Sequence, residues 1–157
     1  MRRSLLGSLF TACMFTMIGA IASSADVKED AVQKDRKLIE GTWRVVALEV
    51  NGSKSTEEDA RKLTVVNGPD GTWSLRSDGN EISKGTNLLD PTKTPKTIDF
   101  TPTVGEGAGS LYRGIYELGE KTRKLCFAPP GKERPTEFSS TPDSEHILVM
   151  FEREKAK

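Results

Sequence analysis

The chain has few of the side chains from which metal sites and hydrolytic sites are built. Its 157 residues include one histidine, His146, and two cysteines, Cys13 and Cys126. With no second histidine and no cysteine pair at ligand spacing, the sequence predicts no metal site. A Ser-His-carboxylate set would have to use His146, which we expect to be solvent-exposed at the start of the last strand, and no glycine-rich phosphate loop is present. We therefore predict that the protein is not an enzyme and needs no cofactor.

An excess of positive charge is also missing. Lysine and arginine together number 23, and aspartate and glutamate together number 23. A nucleic-acid-binding domain carries a clustered basic face. The balance of charge therefore predicts no nucleic-acid partner.

Cysteine pairs are absent from the part of the chain that folds. Cys126 is the one cysteine beyond the N-terminal segment, so an internal disulfide is excluded even where the compartment would permit one. We expect Cys126 to be a small, semi-buried apolar residue, with an intermolecular bridge as the alternative. The domain must be stabilised by its core alone, which is feasible at this length.

The one long apolar run lies at the N-terminus. The basic pair Arg2-Arg3 precedes an uncharged run from Leu5 to Ala22, and small residues follow. This order is typical of a cleaved signal peptide. We predict a signal peptide at residues 1–25 and a single exported domain at residues 26–157, periplasmic or extracellular and without membrane contact after cleavage. An uncleaved anchor, and a lipid-attachment box ending at Cys13, are the alternatives.

A short helix is predicted at the start of the domain. Asp26 and Glu29 match a capping box, and apolar residues recur one heptad apart up to Ile39. We expect the helix to run from Asp26 to Ile39 and to end at Gly41.

The residues after Gly41 change to the two-residue period of a strand. Trp43, Val45 and Ala47 are predicted to share one face. Asn51-Gly52 would usually form a two-residue hairpin, but the polar stretch from Ser53 to Arg61 favours a longer loop that contains a helix start. That loop is a candidate lid over the mouth of the barrel.

Short strands separated by turn residues fill the rest of the chain. The segment Glu81–Leu89 is polar, which predicts an edge strand or a bent strand, and Pro129–Pro135 must be a loop. About eight strands without a helical crossover indicate an antiparallel barrel or sandwich. The predicted strands after the first are Leu63–Asn67, Thr72–Ser77, Glu81–Leu89, Lys96–Thr101, Leu111–Leu118, Arg123–Ala128 and Glu145–Arg153.

Gly41 and Trp43, which follow a helix at the head of this pattern, resemble the Gly-x-Trp of the lipocalin-like superfamily. In that superfamily a basic residue near the end of the chain packs over the indole, and the resemblance gives this role to Arg153. Such a cation–π contact contributes roughly 0.5–2 kcal/mol, and the remaining guanidinium donors can bind carbonyls at the helix end. The resemblance implies an all-β fold, an antiparallel barrel of about eight strands with a short N-terminal helix, closed by Gly41, Trp43 and Arg153.

A closer resemblance covers almost the whole mature chain. The chain resembles a family of secreted bacterial domains, expanded in planctomycetes, whose function is uncharacterised. It departs from the family pattern at Gly119 to Lys124, where Lys121 and Arg123 stand. The resemblance implies no activity. The matching segments are Leu38–Trp43, Asp90–Asp99, Gly114–Leu118, Leu125-Cys126 and Arg134–Phe138.

Five residues are candidate ligand or rim contacts. Trp73, Tyr112 and Tyr116 are expected in the core or the barrel wall. The alternative is that they line a pocket, where an aromatic surface with a few polar groups suits a small ligand. Arg134 and Glu137 are expected to form a surface ion pair that orders their loop, or to meet a ligand at the barrel rim.

Two carboxylates flank a proline-bounded segment. Asp90 and Asp99 could hold a cation between them. We favour the alternative, in which Asp90 sets a turn before Pro91 and Asp99 caps or pairs locally.

Two classes of function remain. An eight-stranded interior is either filled by side chains or holds one small ligand, so the first hypothesis is an exported lipocalin-like protein that binds a small, largely apolar molecule. The second is a non-enzymatic cell-envelope interaction or structural protein with a filled barrel that acts through loops such as Pro129–Pro135. The sequence names no protein partner.

Overall fold

The computed structural model describes residues 23–155, and in them it shows a closed antiparallel β-barrel. Neighbouring strands pair in the order β2-β1-β3-β4-β5-β6-β7-β8-β9, and an additional β1–β9 pairing closes the ring of eight strands, with β2 as an extra strand. The predicted fold class is therefore confirmed. The elements are α1 Ser24–Ile39, β1 Gly41–Val50, β2 Ser53–Lys54, α2 Glu57–Arg61, β3 Leu63–Asn67, β4 Thr72–Ser77, β5 Asn80–Asp90, β6 Lys96–Val104, β7 Tyr112–Leu118, β8 Thr122–Ala128 and β9 Ile147–Arg153.

Helix α1 begins two residues earlier than the sequence pattern indicated. The Ser23 hydroxyl accepts a hydrogen bond from the Asp26 amide at 3.3 Å, and the Asp26 carboxylate accepts one from the Ser23 amide at 3.2 Å. The capping box is therefore Ser23 with Asp26, and the predicted pairing of Asp26 with Glu29 is wrong, because a serine one turn earlier already supplies the cap. Residues 1–22 of the predicted signal peptide lie outside the described residues, and its last three residues, 23–25, form the N-cap and the start of α1.

Strand β1 contains a β-bulge. Its ladder to β9 shifts by one residue between Val45 and Ala47. The extra residue reverses the alternation, so that Leu48 packs with Trp43 and Val45 against the barrel core. The prediction that Ala47 shares their face is wrong for this reason.

The Asn51-Gly52 pair forms the tight hairpin that its sequence usually marks. Both residues have positive φ, 50° and 80°, and Val50 pairs with Ser53 across the turn. The predicted longer loop is therefore wrong, because a turn with two positive φ angles matches the twist of the strands. Helix α2 follows with Thr56 as its N-cap, and its buried Ala60 packs into the interior cluster of β1 and β9 side chains.

Strand β5 is a long strand inside the sheet, between β4 and β6, so the prediction of an edge strand is wrong. Its inward-facing residues include Ser83, Gly85 and Asn87 as well as Leu89, all buried. These small and polar side chains hide the alternation of apolar residues that normally marks a strand. The ladders on both sides contain a register shift, which agrees with the bent-strand alternative.

Helix α1 closes one end of the barrel. Its last residue, Ile39, is buried with Leu89, Ile98 and Tyr116 in one interior cluster. We call this end the closed end. No helix among residues 23–155 is long and apolar enough to span a membrane.

The outer wall carries a small cluster of its own. Ile115, Cys126 and Leu148 point away from the interior and are buried there, with Phe138 packed against them. The chain between β8 and β9, which contains the predicted Pro129–Pro135 loop, therefore lies against the outside of the barrel.

Candidate functional site

Trp43 is the central side chain of the closed end. It has no exposed surface, and its indole nitrogen donates a hydrogen bond to the Ile39 carbonyl at 2.7 Å. The guanidinium carbon of Arg153, the residue opposite Trp43 in the β1–β9 ladder, lies 4.3 Å from the ring centroid. The structure thus contains the contact between Arg153 and the Trp43 indole that the Gly-x-Trp resemblance implies.

Arg153 also holds the C-terminal end of α1 against the barrel through hydrogen bonds. It donates hydrogen bonds to the carbonyls of Leu38 and Glu40, and a third to the carbonyl of Glu120 at 3.0 Å. Gly41 has a φ of 110°, and a Cβ there would lie 3.2 Å from a terminal nitrogen of Arg153. Glycine at this position therefore allows both the backbone turn and the approach of the arginine.

Four aromatic rings meet inside the barrel. Phe100 stacks on Tyr112 with 4.9 Å between ring centroids. Trp73 and Phe127 approach Phe100 edge-on at 5.8 and 4.8 Å. Two of the candidate ligand contacts, Trp73 and Tyr112, thus belong to one aromatic wall.

The apolar wall around these rings is only partly buried. Ladder register places these side chains inside the barrel, yet each keeps part of its surface accessible to water. The apolar inner wall is therefore not completely covered by neighbouring side chains. The partly exposed, inward-facing residues are Leu48, Leu63, Val65, Trp73, Leu75, Phe100, Tyr112, Leu125, Phe127 and Ile147.

Tyr116 differs from the other aromatic candidates, because it is buried and its hydroxyl is engaged. The hydroxyl donates to the Asp35 carboxylate of α1 at 2.7 Å, and the Lys96 ammonium contacts the same oxygen at 2.7 Å. Burial, followed by the hydrogen bond to Asp35, raises the pKa of Tyr116 well above its usual value. Its hydroxyl anchors the helix and is not free to meet a ligand.

Arg123 is a site residue that sequence reasoning missed. It is 5% exposed, and its guanidinium carbon lies 4.1 Å from the centroid of Phe151 and 5.0 Å from that of Trp43. Its Nε is enclosed without a hydrogen-bond partner. Burial, followed by the charge of Arg153, lowers the pKa of Arg123 to about 9. Its place on the same strand face as Leu125 and Phe127 was the available signal that it points inward.

Arg134 lies on the outer wall and pairs with a different carboxylate from the one predicted. Its guanidinium is 2.6 Å from Asp99, at an angle outside that of a hydrogen bond, and it donates to the Gly114 carbonyl at 2.7 Å. Glu137 is exposed and accepts a hydrogen bond from Ser139 at 3.2 Å. The predicted Arg134–Glu137 ion pair is therefore wrong, because the ladder brings Asp99 of β6 closer to Arg134 than its neighbour in sequence.

The two carboxylates considered as a cation site have separate partners. Asp90 accepts hydrogen bonds from the Thr92 amide and hydroxyl, which is the expected turn, and contacts Lys28 at 3.0 Å. Asp99 contacts Arg134. Among residues 23–155, no group of three or more histidine, cysteine or acidic side chains has the geometry of a metal site.

An open groove runs over the outer wall beside Arg134. Its volume is about 760 Å³. Leu88, which faces outward from β5, is 75% exposed at its edge. The groove is lined by residues of α1, of the segment from Leu88 to Asp99, and of the segment Arg134 to Thr136.

His146 and Cys126 are more enclosed than expected. His146 is half-buried just before β9, and its Nδ1 has no hydrogen-bond partner, so the expectation of a solvent-exposed residue is wrong. Cys126 has no exposed surface, and its thiol donates to the Ser139 carbonyl at 3.3 Å. Burial raises the pKa of that thiol. The chain segment that crosses the outer wall covers both residues more fully than an isolated strand would.

Comparison with other proteins adds no identity. No family model matches the chain, and neither the curated proteins nor the solved structures give a match. The barrel is a property of the structure, whereas the resemblance to a lipocalin-like family stays a prediction from the sequence.

Proposed function

We propose that this chain is an exported, lipocalin-like binding protein that holds one small, largely apolar molecule inside its barrel. The observation that supports this is the partly exposed apolar wall that faces the interior. A barrel of eight strands has room for one small ligand when its side chains do not fill it. The proposal assigns binding and no catalysis, because the wall offers aliphatic and aromatic contact without an acid–base pair.

The four-ring cluster favours a ligand with an extended apolar body. Phe100 and Tyr112 present a stacked pair, and Trp73 and Phe127 present edges to it. Aromatic walls of this kind bury large ligand area at little cost in side-chain entropy.

The test is titration of the mature domain with the neutral fluorescent probe N-phenyl-1-naphthylamine, together with native mass spectrometry of protein purified without denaturant. We expect saturable binding that Phe127→Ala and Tyr112→Ala each weaken by roughly tenfold, since each removes about 1–3 kcal/mol of apolar contact. Leu88→Ala, on the outer wall, is the matched control and should bind as the parent does. A folded domain that neither binds the probe nor carries an added mass would reject the proposal.

Export is the second part of the proposal. The sequence pattern of residues 1–25 supports it. Expression of the full chain in a bacterial host, followed by intact-mass measurement of the envelope fraction, should give a chain cleaved after Ala25 or after Ala22, and only the second of these keeps the Ser23 cap of α1. A full-length chain retained in the cytoplasm would contradict it.

The outer groove favours a second candidate function, an envelope protein that acts through its loops. The observation is the exposed Leu88 beside a groove that the Arg134–Thr136 segment helps to form. Leu88→Glu should abolish co-purification of an envelope partner and leave probe binding unchanged. Retention of every partner by that variant would reject this candidate.

A further inference from the structure

Arg123 is a cation enclosed in the barrel without a counter-ion. No carboxylate of residues 23–155 forms an ion pair with it, and its Nε donates to none of their atoms. Burying a charge without a partner costs several times what a neutral group would cost. A bound group that accepts hydrogen bonds from Arg123 would therefore offset the cost of burying its charge.

The neighbours of Arg123 do not supply that compensation. Phe151 and Trp43 offer ring faces, which recover only part of the lost hydration of a cation. The charge of Arg153, which is also positive, adds to burial in lowering the pKa of Arg123. Arg153 differs in that three backbone carbonyls accept its hydrogen bonds.

A second donor inside the barrel has no partner either. Asn67, which faces inward opposite Gly41 in the β1–β3 ladder, is 5% exposed, and its side-chain Nδ2 has no acceptor. A buried donor without an acceptor is as costly as a lost hydrogen bond. Both unpaired groups are donors, so a group that pairs with either of them must carry an acceptor.

We infer that the ligand is an amphipathic carboxylic acid, whose carboxylate pairs with Arg123 toward the closed end while its apolar body lies along the aromatic wall. This rests on the proposed function and adds the chemical class of the ligand. A guanidinium binds a carboxylate through two parallel hydrogen bonds. The partly exposed rings of Phe100, Tyr112 and Phe127 supply the apolar contact for the remainder of the molecule.

The experiment compares dodecanoate with dodecanol, which share their chain and differ in charge. Each is titrated into the mature domain by isothermal calorimetry or by displacement of N-phenyl-1-naphthylamine. We expect dodecanoate to bind at least tenfold more tightly than dodecanol. Arg123→Met should remove this preference, Arg123→Lys should restore part of it, and Lys124→Met, on the outward face of the same strand, should leave it unchanged.

The outcomes separate the two proposals. Equal affinity of the parent domain for dodecanoate and dodecanol, or a preference that survives Arg123→Met, would overturn the carboxylate inference while probe binding still supports the barrel site. Absence of binding by the acid, the alcohol and the neutral probe would overturn the barrel site itself. If Arg123→Met does not fold, the comparison in the parent domain and in Arg123→Lys decides the question.

The apo protein gives an independent readout. A guanidinium that binds a ligand should lower the stability of the empty barrel. Arg123→Met should therefore leave the melting temperature of the ligand-free protein unchanged or raise it. The same variant should also lack the rise in melting temperature that dodecanoate causes in the parent. A fall in melting temperature together with an unchanged response to dodecanoate would assign Arg123 to the fold alone.

Discussion

The Tyr116 hydroxyl and the Asp35 carboxylate, 81 positions apart in sequence, are joined by a hydrogen bond of 2.7 Å. Asp35 lies on α1 and is 3% exposed, and Lys96 contacts the same oxygen. A buried carboxylate is tolerated when it is both paired with a charge and hydrogen-bonded. The helix that closes the barrel is thus held by a polar contact as well as by the apolar contact of Ile39.

Removal of the Tyr116 hydroxyl should loosen that helix. Tyr116→Phe keeps the ring in the core and takes one hydrogen bond from Asp35, so we expect the free energy of unfolding to fall by about 1–3 kcal/mol. Urea unfolding measures the loss, and hydrogen exchange should show faster exchange in α1. Tyr112→Phe is the control, and an equal loss in both variants would contradict the role of the Asp35 contact.

Alkaline pH should weaken the fold through the same residue. The folded-state pKa of Tyr116 is raised above its ordinary value, which is about 10. The folded protein therefore keeps a proton that the unfolded chain releases, so this contribution is complete below about pH 10 and is lost as pH rises toward the folded-state pKa. Absorbance at 295 nm should reveal a tyrosine that ionises only above the ordinary range or on unfolding, and Tyr116→Phe should lack that step.

Trp43 should be the most costly aromatic residue to remove. Trp43→Ala creates a cavity at a fully buried site and removes the hydrogen bond to Ile39, so we expect a loss of about 3–5 kcal/mol. Trp73→Ala, at a partly exposed site, should cost less. Melting temperature and urea midpoint measure both, and an unchanged midpoint for Trp43→Ala would show that the indole does not support the barrel.

The two arginines next to Trp43 should respond differently to the same change. Arg153→Met removes hydrogen bonds to carbonyls at the end of α1, and we expect a loss of about 2–3 kcal/mol. Arg123→Met removes a charge that has no counter-ion, and we expect no loss. Urea unfolding of the two single variants tests the contrast, and equal losses would place both arginines in the same structural role.

The sequence predicts the bounds of strands correctly where the local signals are strong. The bounds of β3 and β4 agree with the predicted segments, because alternating apolar residues end there in glycine-containing turns. The edge-strand alternative for β5 is wrong, and the polar pattern that suggested it arises because the inward positions hold Ser83, Gly85 and Asn87 in place of large apolar residues. The prediction of which β1 residues face inward is wrong after Val45, because a β-bulge leaves no signal of its own in the composition.

The candidate site was predictable only in part. Trp43 and Arg153 could be matched because their residue types and places in the chain fit a known pattern. The Arg134–Asp99 contact depends on which strands are neighbours, and no local pattern carries that information. In the sequence, Arg123 departs from a family pattern and shares a strand face with Leu125 and Phe127. Its lack of a counter-ion becomes visible only when the barrel is closed around it.

The pairing of β1 with β9 sets the order in which this protein can acquire its structure. Trp43 faces Arg153 across that ladder, so the ring is complete only when the last strand has been made. Contacts between distant parts of a chain slow folding more than they reduce final stability. A chain that still lacks β9 would keep two unpaired strand edges. The barrel therefore cannot close until β9 has been made, so the proposed export, if it takes an unfolded chain, can precede closure of the barrel.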